Sequence, residues 1–159
     1  MMWIVPIQSV FLSTLDTQID MADWDDRTVE FPFAARVLGV TADAETNNGV
    51  HAEQYWDAMA AGDPLLIYQR DRDRYIGFGR LGTKTQTTYF DEEYWHAGAH
   101  NVFTVEAYDD TLDVETDEIN QMLGYEPSFT PTGLSKVRSD RPISDLLFYL
   151  DVARGPLAT

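Results

Sequence analysis

The chain has 159 residues, 11 Lys+Arg against 27 Asp+Glu for a net charge of −16, no cysteine, 44% hydrophobic and 13% aromatic residues. That length suits one folded domain spanning residues 1–159, burying roughly 70% of its unfolded surface around a single core, and its aromatic and β-branched content excludes a disordered acidic tail. Zero cysteine excludes disulfides, thiolate metal sites, iron-sulfur clusters and a cysteine nucleophile.

In the opening segment no basic stretch precedes the apolar residues, and Asp16, Asp20 and Asp23 interrupt them well short of the ~20 residues a membrane span needs. A soluble, cytoplasmic chain is expected. Trp3 to Val10 is short, apolar and β-branched, which predicts a strand. Asp20 to Arg27 reads as an acidic loop, followed by Phe31 and Phe33 around Pro32. Ala34 to Val40 fits either a short helix or a strand, and Asn47, Asn48 and Gly49 make a turn. His51 to Ala61 is helical, with Gly62 where a helix C-cap residue belongs.

Pro64 opens the strand Leu65–Gln69, and the polar cluster Arg70, Asp71, Arg72, Asp73, Arg74 takes the place of a hairpin connection. Interleaved in this way, its charges are expected to neutralise one another at the surface. Tyr75 to Gly82 returns as a strand that Thr83 to Tyr89 can continue; its glycines mark a bulge or a close approach to bare backbone. A helical turn at Asp91–His96, an alternating strand at Asn101–Tyr108 and a helix at Val114–Leu123 follow. Ile143–Val152 is a helix or a strand. Helices are interposed irregularly, so a doubly wound parallel sheet is not expected.

The succession Val37-Leu38-Gly39-Val40-Thr41, a helix, Ala61-Gly62-Asp63-Pro64 leading into Leu65-Leu66-Ile67-Tyr68, then Tyr75-Ile76-Gly77-Phe78-Gly79-Arg80-Leu81 and Val102-Phe103-Thr104-Val105 resembles the EVE domain of the PUA-like superfamily. Gly133 to Arg138 is similar to the family's late glycine followed by small and basic residues. Leu38 stands where the family usually has Trp, whereas Trp3 matches an aromatic near the family's start. The resemblance implies an α+β fold, a PUA-like partly closed β-barrel with short helices covering its ends. It also implies DNA or RNA binding with a modified or flipped base, modified cytosine first, in a concave pocket, and a nuclease or methyltransferase as a possible partner.

A flipped base needs aromatic faces, main-chain or amide groups for its edge, and cations for the flanking phosphates. The candidate faces are Trp3, Phe33, Tyr68 and Tyr75, each of which also suits a packed strand. Gly39, Gly77 and Gly79 can admit a ligand to the main chain, with Thr41, Asn47 and Asn48 as polar contacts. Arg36, Arg80, Lys136 and Arg138 are the candidate cations, with Arg70 set aside by the interleaved carboxylates.

His51, His96 and His100 form no metal set, the sequence holds no nucleophile elbow or phosphate loop, and no cofactor is expected. Two alternatives stand beside base binding. One is an ASCH-like hydrolase of modified nucleosides using Lys84 with Thr83 or Thr85 and Glu106; the other is a non-catalytic protein-interaction domain.

The acid comprises 18 Asp and 9 Glu, against 9 Arg and 2 Lys. Spread along the whole chain, it resembles the surface of a halophilic protein, kept soluble by charge whose self-repulsion concentrated salt screens. Affinity for a polyanion is then expected to vary with salt oppositely to the usual counterion-release trend.

Overall fold

Two strands, β1 (Met2–Ile7) and β4 (Pro64–Gln69), are buried along almost their whole length. Their side chains alternate between two apolar clusters: Trp3, Val5, Leu65 and Ile67 pack on one face, Met2, Ile4, Leu66 and Tyr68 on the other. Burial on both faces is why the sequence runs apolar there without alternating. In a computed structural model that describes residues 1–41, 51–112 and 114–154, these strands pair in parallel, Ile4 opposite Leu66.

Around them lies one mixed sheet in the order β2-β3-β6-β5-β4-β1-β7, with β2 at Ile19–Asp20, β3 at Ala34–Val40, β5 at Arg74–Gln86, β6 at Asn101–Asp109 and β7 at Ser135–Val137. It ends in two edges, β2 and β7, so the barrel is only partly closed. Curvature comes from β5, whose 13 residues pair with β6 through register shifts between Phe78 and Arg80 and between Leu81 and Lys84. Such bulges add local twist and bend the ribbon.

The helices are short: α1 (Leu12–Leu15), α2 (Ala52–Ala58), α3 (Thr116–Met122) and α4 (Ile143–Arg154). Ile119 and Leu123, on and just after α3, and Leu146 and Leu150 of α4 cover the Met2–Ile4 face. The ambiguous segment Ala34–Val40 is a strand because Arg36 to Val40 pair with Val105 to Asn101, a long-range contact that local sequence does not encode. The Arg70–Arg74 connection contains a 3-10 turn at Arg70–Arg72, with Asp73 left-handed at φ 51°. Asp91–Trp95 forms a π-helical turn. The Asn47–Asn48 turn lies outside the described residues. No described helix is long and apolar enough to cross a membrane.

Candidate functional site

The curled sheet brings the C-terminal end of β3 beside the segment that follows β1 and the turn that follows β4. Between them is a cavity of about 140 Å³. Its walls are Pro6 near the end of β1 with Gln8 and Phe11 after it, Gly39 and Val40 of β3 with Thr41 after them, Ala52 at the start of α2, Arg70 after β4, Ala97, and Thr132 to Leu134 ahead of β7. A comparable volume, about 150 Å³, holds one benzene ring in an engineered protein cavity. The site has the scale of a single planar ring.

Two packing devices shape it. Gly39 lends its main chain to the cavity while its bare core side makes room for Trp95: a Cβ there would stand 2.5 Å from Trp95 Cζ3. Trp95 is held in turn by Phe11, 5.0 Å between ring centres, and by donating from Nε1 to Thr14 Oγ1 at 3.0 Å; Thr14 Oγ1 donates to the Val37 carbonyl at 2.6 Å. The second device is Asp91, whose Oδ1 accepts the Ala97 and Ala99 N–H groups at 2.7 and 3.3 Å and so fixes the loop that forms one wall. Burial works against ionisation of Asp91, but these N–H groups and His100, 3.5 Å away, outweigh it and hold the carboxyl below the usual carboxylate range.

Of the residues singled out in the sequence, Gly39 and Thr41 line this cavity. Arg70, set aside on its charges, lines it too; Asn47 and Asn48 lie outside the described residues, and the remaining candidates sit elsewhere, the aromatic set differing most from expectation. Trp3, Tyr68 and Tyr75 are fully buried. Trp3 donates to Asp63 Oδ2 at 2.9 Å and packs edge-on to Tyr55; Tyr68 and Tyr75 meet edge to face, bonding through their hydroxyls to Asp73 and to Asn120 Oδ1. Trp3 and Tyr68 are enclosed by the protein itself, and Tyr75, though buried, forms part of the wall of a second hollow of about 240 Å³. Gly77 and Gly79 likewise leave space for neighbours rather than for a ligand: Tyr108 fills the side of Gly77, and Val105 with the Glu106 carbonyl fills that of Gly79.

Phe33 is exposed, with the Arg27 guanidinium 3.6 Å over its ring. Arg36 donates through Nε to the Leu15 carbonyl at 2.9 Å, and Arg80 through Nη1 to the Gly62 carbonyl at 3.0 Å. Lys136 lies opposite Trp3 on β7, and Arg138 pairs with Asp140 at 3.3 Å. Lys84 donates to the Trp56 and Asp57 carbonyls at 2.8 and 3.1 Å and lies over the Trp56 ring, capping the C-terminal end of α2. Among the described residues no group of three or more His, Asp or Glu is placed to hold a metal ion.

Sequence reasoning missed Phe11, Gln8 and Ala97 as wall residues. Gln8 falls inside the strand expected at Trp3–Val10 and Phe11 just past its end, where the chain instead leaves β1 and makes a 3-10 turn at Ser9–Phe11, and nothing local marks the return of residues 97 and 132–134 to the mouth of the same cavity.

No family model matches the chain, and no curated protein matches it. Among solved structures it is similar to the N-terminal domain of Thermococcus gammatolerans McrB bound to m5C DNA, with a TM-score of 0.69 and 16% identity over 94% of this chain and 98% of that one. An ASCH protein of Zymomonas mobilis aligns with a TM-score of 0.47 and 13% identity over 92% and 96%. The McrB likeness spans nearly the whole of both chains and carries the fold: the chain is an α+β, PUA-like, partly closed β-barrel.

Proposed function

We propose that this chain is a nucleic-acid-binding module of the EVE kind that takes up a modified or flipped base, modified cytosine first, in the cavity bounded by Phe11, Gly39 and Thr41. The observation that carries the reading is a hollow sized for one ring, in a fold shared along its length with a domain bound to m5C DNA. A protein that held only phosphates would need no such hollow; one that extracts a base does, because the unstacked ring must be enclosed to offset a few kcal/mol of unstacking.

The chain's own groups supply recognition rather than chemistry. Phe11 offers an apolar ring, Thr41 a hydroxyl at the exposed lip, and Gly39 to Thr41 a stretch of main chain unobstructed by a side chain at Gly39. No proton is moved. Lys84, the centre of the hydrolase alternative, spends its amine on helix carbonyls. Action beside a nuclease or methyltransferase, and an acidic shell suited to concentrated salt, belong to the same proposal.

The test is fluorescence anisotropy with two oligonucleotides that differ by one 5-methyl group on cytosine. One methyl group in a fitted apolar pocket is worth roughly 10- to 200-fold, and the reading predicts a preference in that range for the methylated probe. Filling the lip with Thr41→Trp should abolish the preference. Equal affinity of the native protein for both probes contradicts the proposal.

A further inference from the structure

In the connection between β4 and β5 the charges alternate to a net +1, three Arg against two Asp, and the hydrogen bonds of its carboxylates come from residues outside it. Both aspartates take their hydrogen bonds from residues other than these arginines, although the charge of Arg72 still reaches Asp71. Asp71 accepts a hydrogen bond from the Ser9 hydroxyl and lies 3.3 and 3.4 Å from Gln69 Nε2, and Asp73 accepts from the Tyr68 hydroxyl. The Ser9 hydroxyl, ahead of Gln69 and the charge of Arg72, holds the Asp71 carboxyl below its ordinary range. Arg70, Arg72 and Arg74 are all exposed, and none of their side chains makes an ion pair or hydrogen bond among the described residues. In a chain with 11 Lys+Arg against 27 Asp+Glu, three exposed guanidiniums within five residues, free of side-chain hydrogen bonds and ion pairs among the described residues, give this edge a net charge of +1 where the chain as a whole is strongly negative.

That edge is continuous with the base cavity. Arg70 and Gln8 line both the cavity and the open groove beside it, where Ser9 and Asp71 bridge the two segments. Beyond the bridge, Arg72 and Arg74 border a second hollow of about 240 Å³ that reaches Tyr108. Asp16 and Asp110 stand on that hollow too, so an anion is favoured only along the arginine lip.

We infer that Arg70, Arg72 and Arg74 form a phosphate track, the surface along which the phosphodiester backbone flanking the bound base runs from the cavity mouth towards Tyr108. The inference deepens the base-binding reading and rests on it for the polarity of the track. Planar guanidiniums suit phosphate because they offer paired N–H donors that match its oxygens. Such contacts position the strand and carry no sequence information.

The experiment compares native protein, the triple variant R70Q/R72Q/R74Q and the charge-preserving R70K/R72K/R74K, each binding the methylated and unmethylated oligonucleotides across a salt series. Each phosphate contact adds roughly 0.7–0.9 to the steepness of log affinity against log salt. Three contacts therefore change the slope by about 2–3, so the ratio of native to glutamine-variant affinity widens by roughly 100- to 500-fold for each tenfold fall in salt. The loss should be equal for both probes, leaving the methyl preference intact, and the lysine variant should recover most of the slope. Unchanged melting temperatures confirm that all three proteins are folded.

A glutamine variant with native affinity and slope overturns the track while leaving base binding standing. A lost methyl preference at unchanged slope also overturns it, since the arginines would then act inside the cavity. Arginine-dependent binding of both probes without methyl preference supports the track and contradicts the base reading. Native protein that binds neither probe at any salt overturns both. Equal displacement by poly-glutamate of matched charge overturns the assignment to phosphodiester.

Discussion

Gly39→Ala tests the construction of the cavity floor, because the new methyl group would stand 2.5 Å from Trp95 Cζ3, 3.0 Å from Cη2 and 3.3 Å from Ala99 Cβ. Trp95 has little room to yield. It is 2% exposed, packed on Phe11 and on Phe90 at 5.8 Å, and tethered through Nε1 to Thr14. Overpacking a filled core costs about 1–3 kcal/mol, and a pinned ring argues for the upper part of that range, ~2–3 kcal/mol. Replacing a strand glycine by alanine returns about 0.5–1 kcal/mol. The net loss is about 1–2.5 kcal/mol, and at about 2–4 °C per kcal/mol for a chain of this length the melting temperature should fall by ~2–10 °C. Thermal denaturation followed by circular dichroism reads this. Trp95→Phe removes the atoms that clash, so the double variant should lose at least ~0.5 kcal/mol less than the two single losses combined. A Gly39→Ala protein that melts at or above the native temperature, with no coupling to Trp95, would refute the packing and leave the side of Gly39 open to the cavity.

Other predictions concern the interior and the charge. Asp63→Ala strands the buried Trp3 N–H and releases the Ala60 N–H that Asp63 also accepts; a lone buried donor costs about 1–3 kcal/mol, to be read from denaturant unfolding, and a loss under ~0.5 kcal/mol would contradict the role given to this bond. Burial opposes ionisation of Asp63, but the bonds from Trp3 and Ala60 and the Met1 ammonium outweigh it, so the folded carboxyl ionises below its ordinary 3.8. The stability it adds is therefore complete above ~pH 5 and lost as pH falls through and below 3.8; the melting-temperature gap between native protein and Asp63→Asn should close in acid, and a constant gap would be inconsistent with this. Lys84→Met removes a cation from the C-terminal end of α2 and should cost about 0.3–1 kcal/mol without changing the methyl preference; loss of that preference would return Lys84 to the site. With a charge of −16, native affinity for oligonucleotides should rise from ~0.1 M to ~1 M salt as the screening length drops from about 10 to about 3 Å, and a steady fall would show that counterion release dominates instead.

Elements set by local pattern were legible in the sequence. β4 after Pro64, the turn at Arg70–Arg74, the alternating β6 and α2 ahead of Gly62 all lie near their expected places. β2 and β7 were not, because two- and three-residue strands exist only through pairing with β3 and β1. The glycines and aromatics stand out in the sequence, but their partners do not. Gly77 and Tyr108 fit together as partners, as do Tyr68 and Tyr75, and whether a ring faces a neighbour or a solvent-filled hollow depends on strands distant in sequence. The same limit hid the arginine edge. Alternating Arg and Asp reads as a local set of ion pairs, and nothing near it in sequence shows that the Asp71 carboxylate accepts its hydrogen bond from Ser9, 62 residues away.

The most direct test of the central claim follows backbone amide resonances while an oligonucleotide carrying 5-methylcytosine is added. Saturable shifts at Thr41, Ala97 and Gly133, with smaller changes for the unmethylated probe, are the predicted result. Shifts confined to the far side of the sheet around Glu115 and Phe129, or identical responses to both probes, would contradict it.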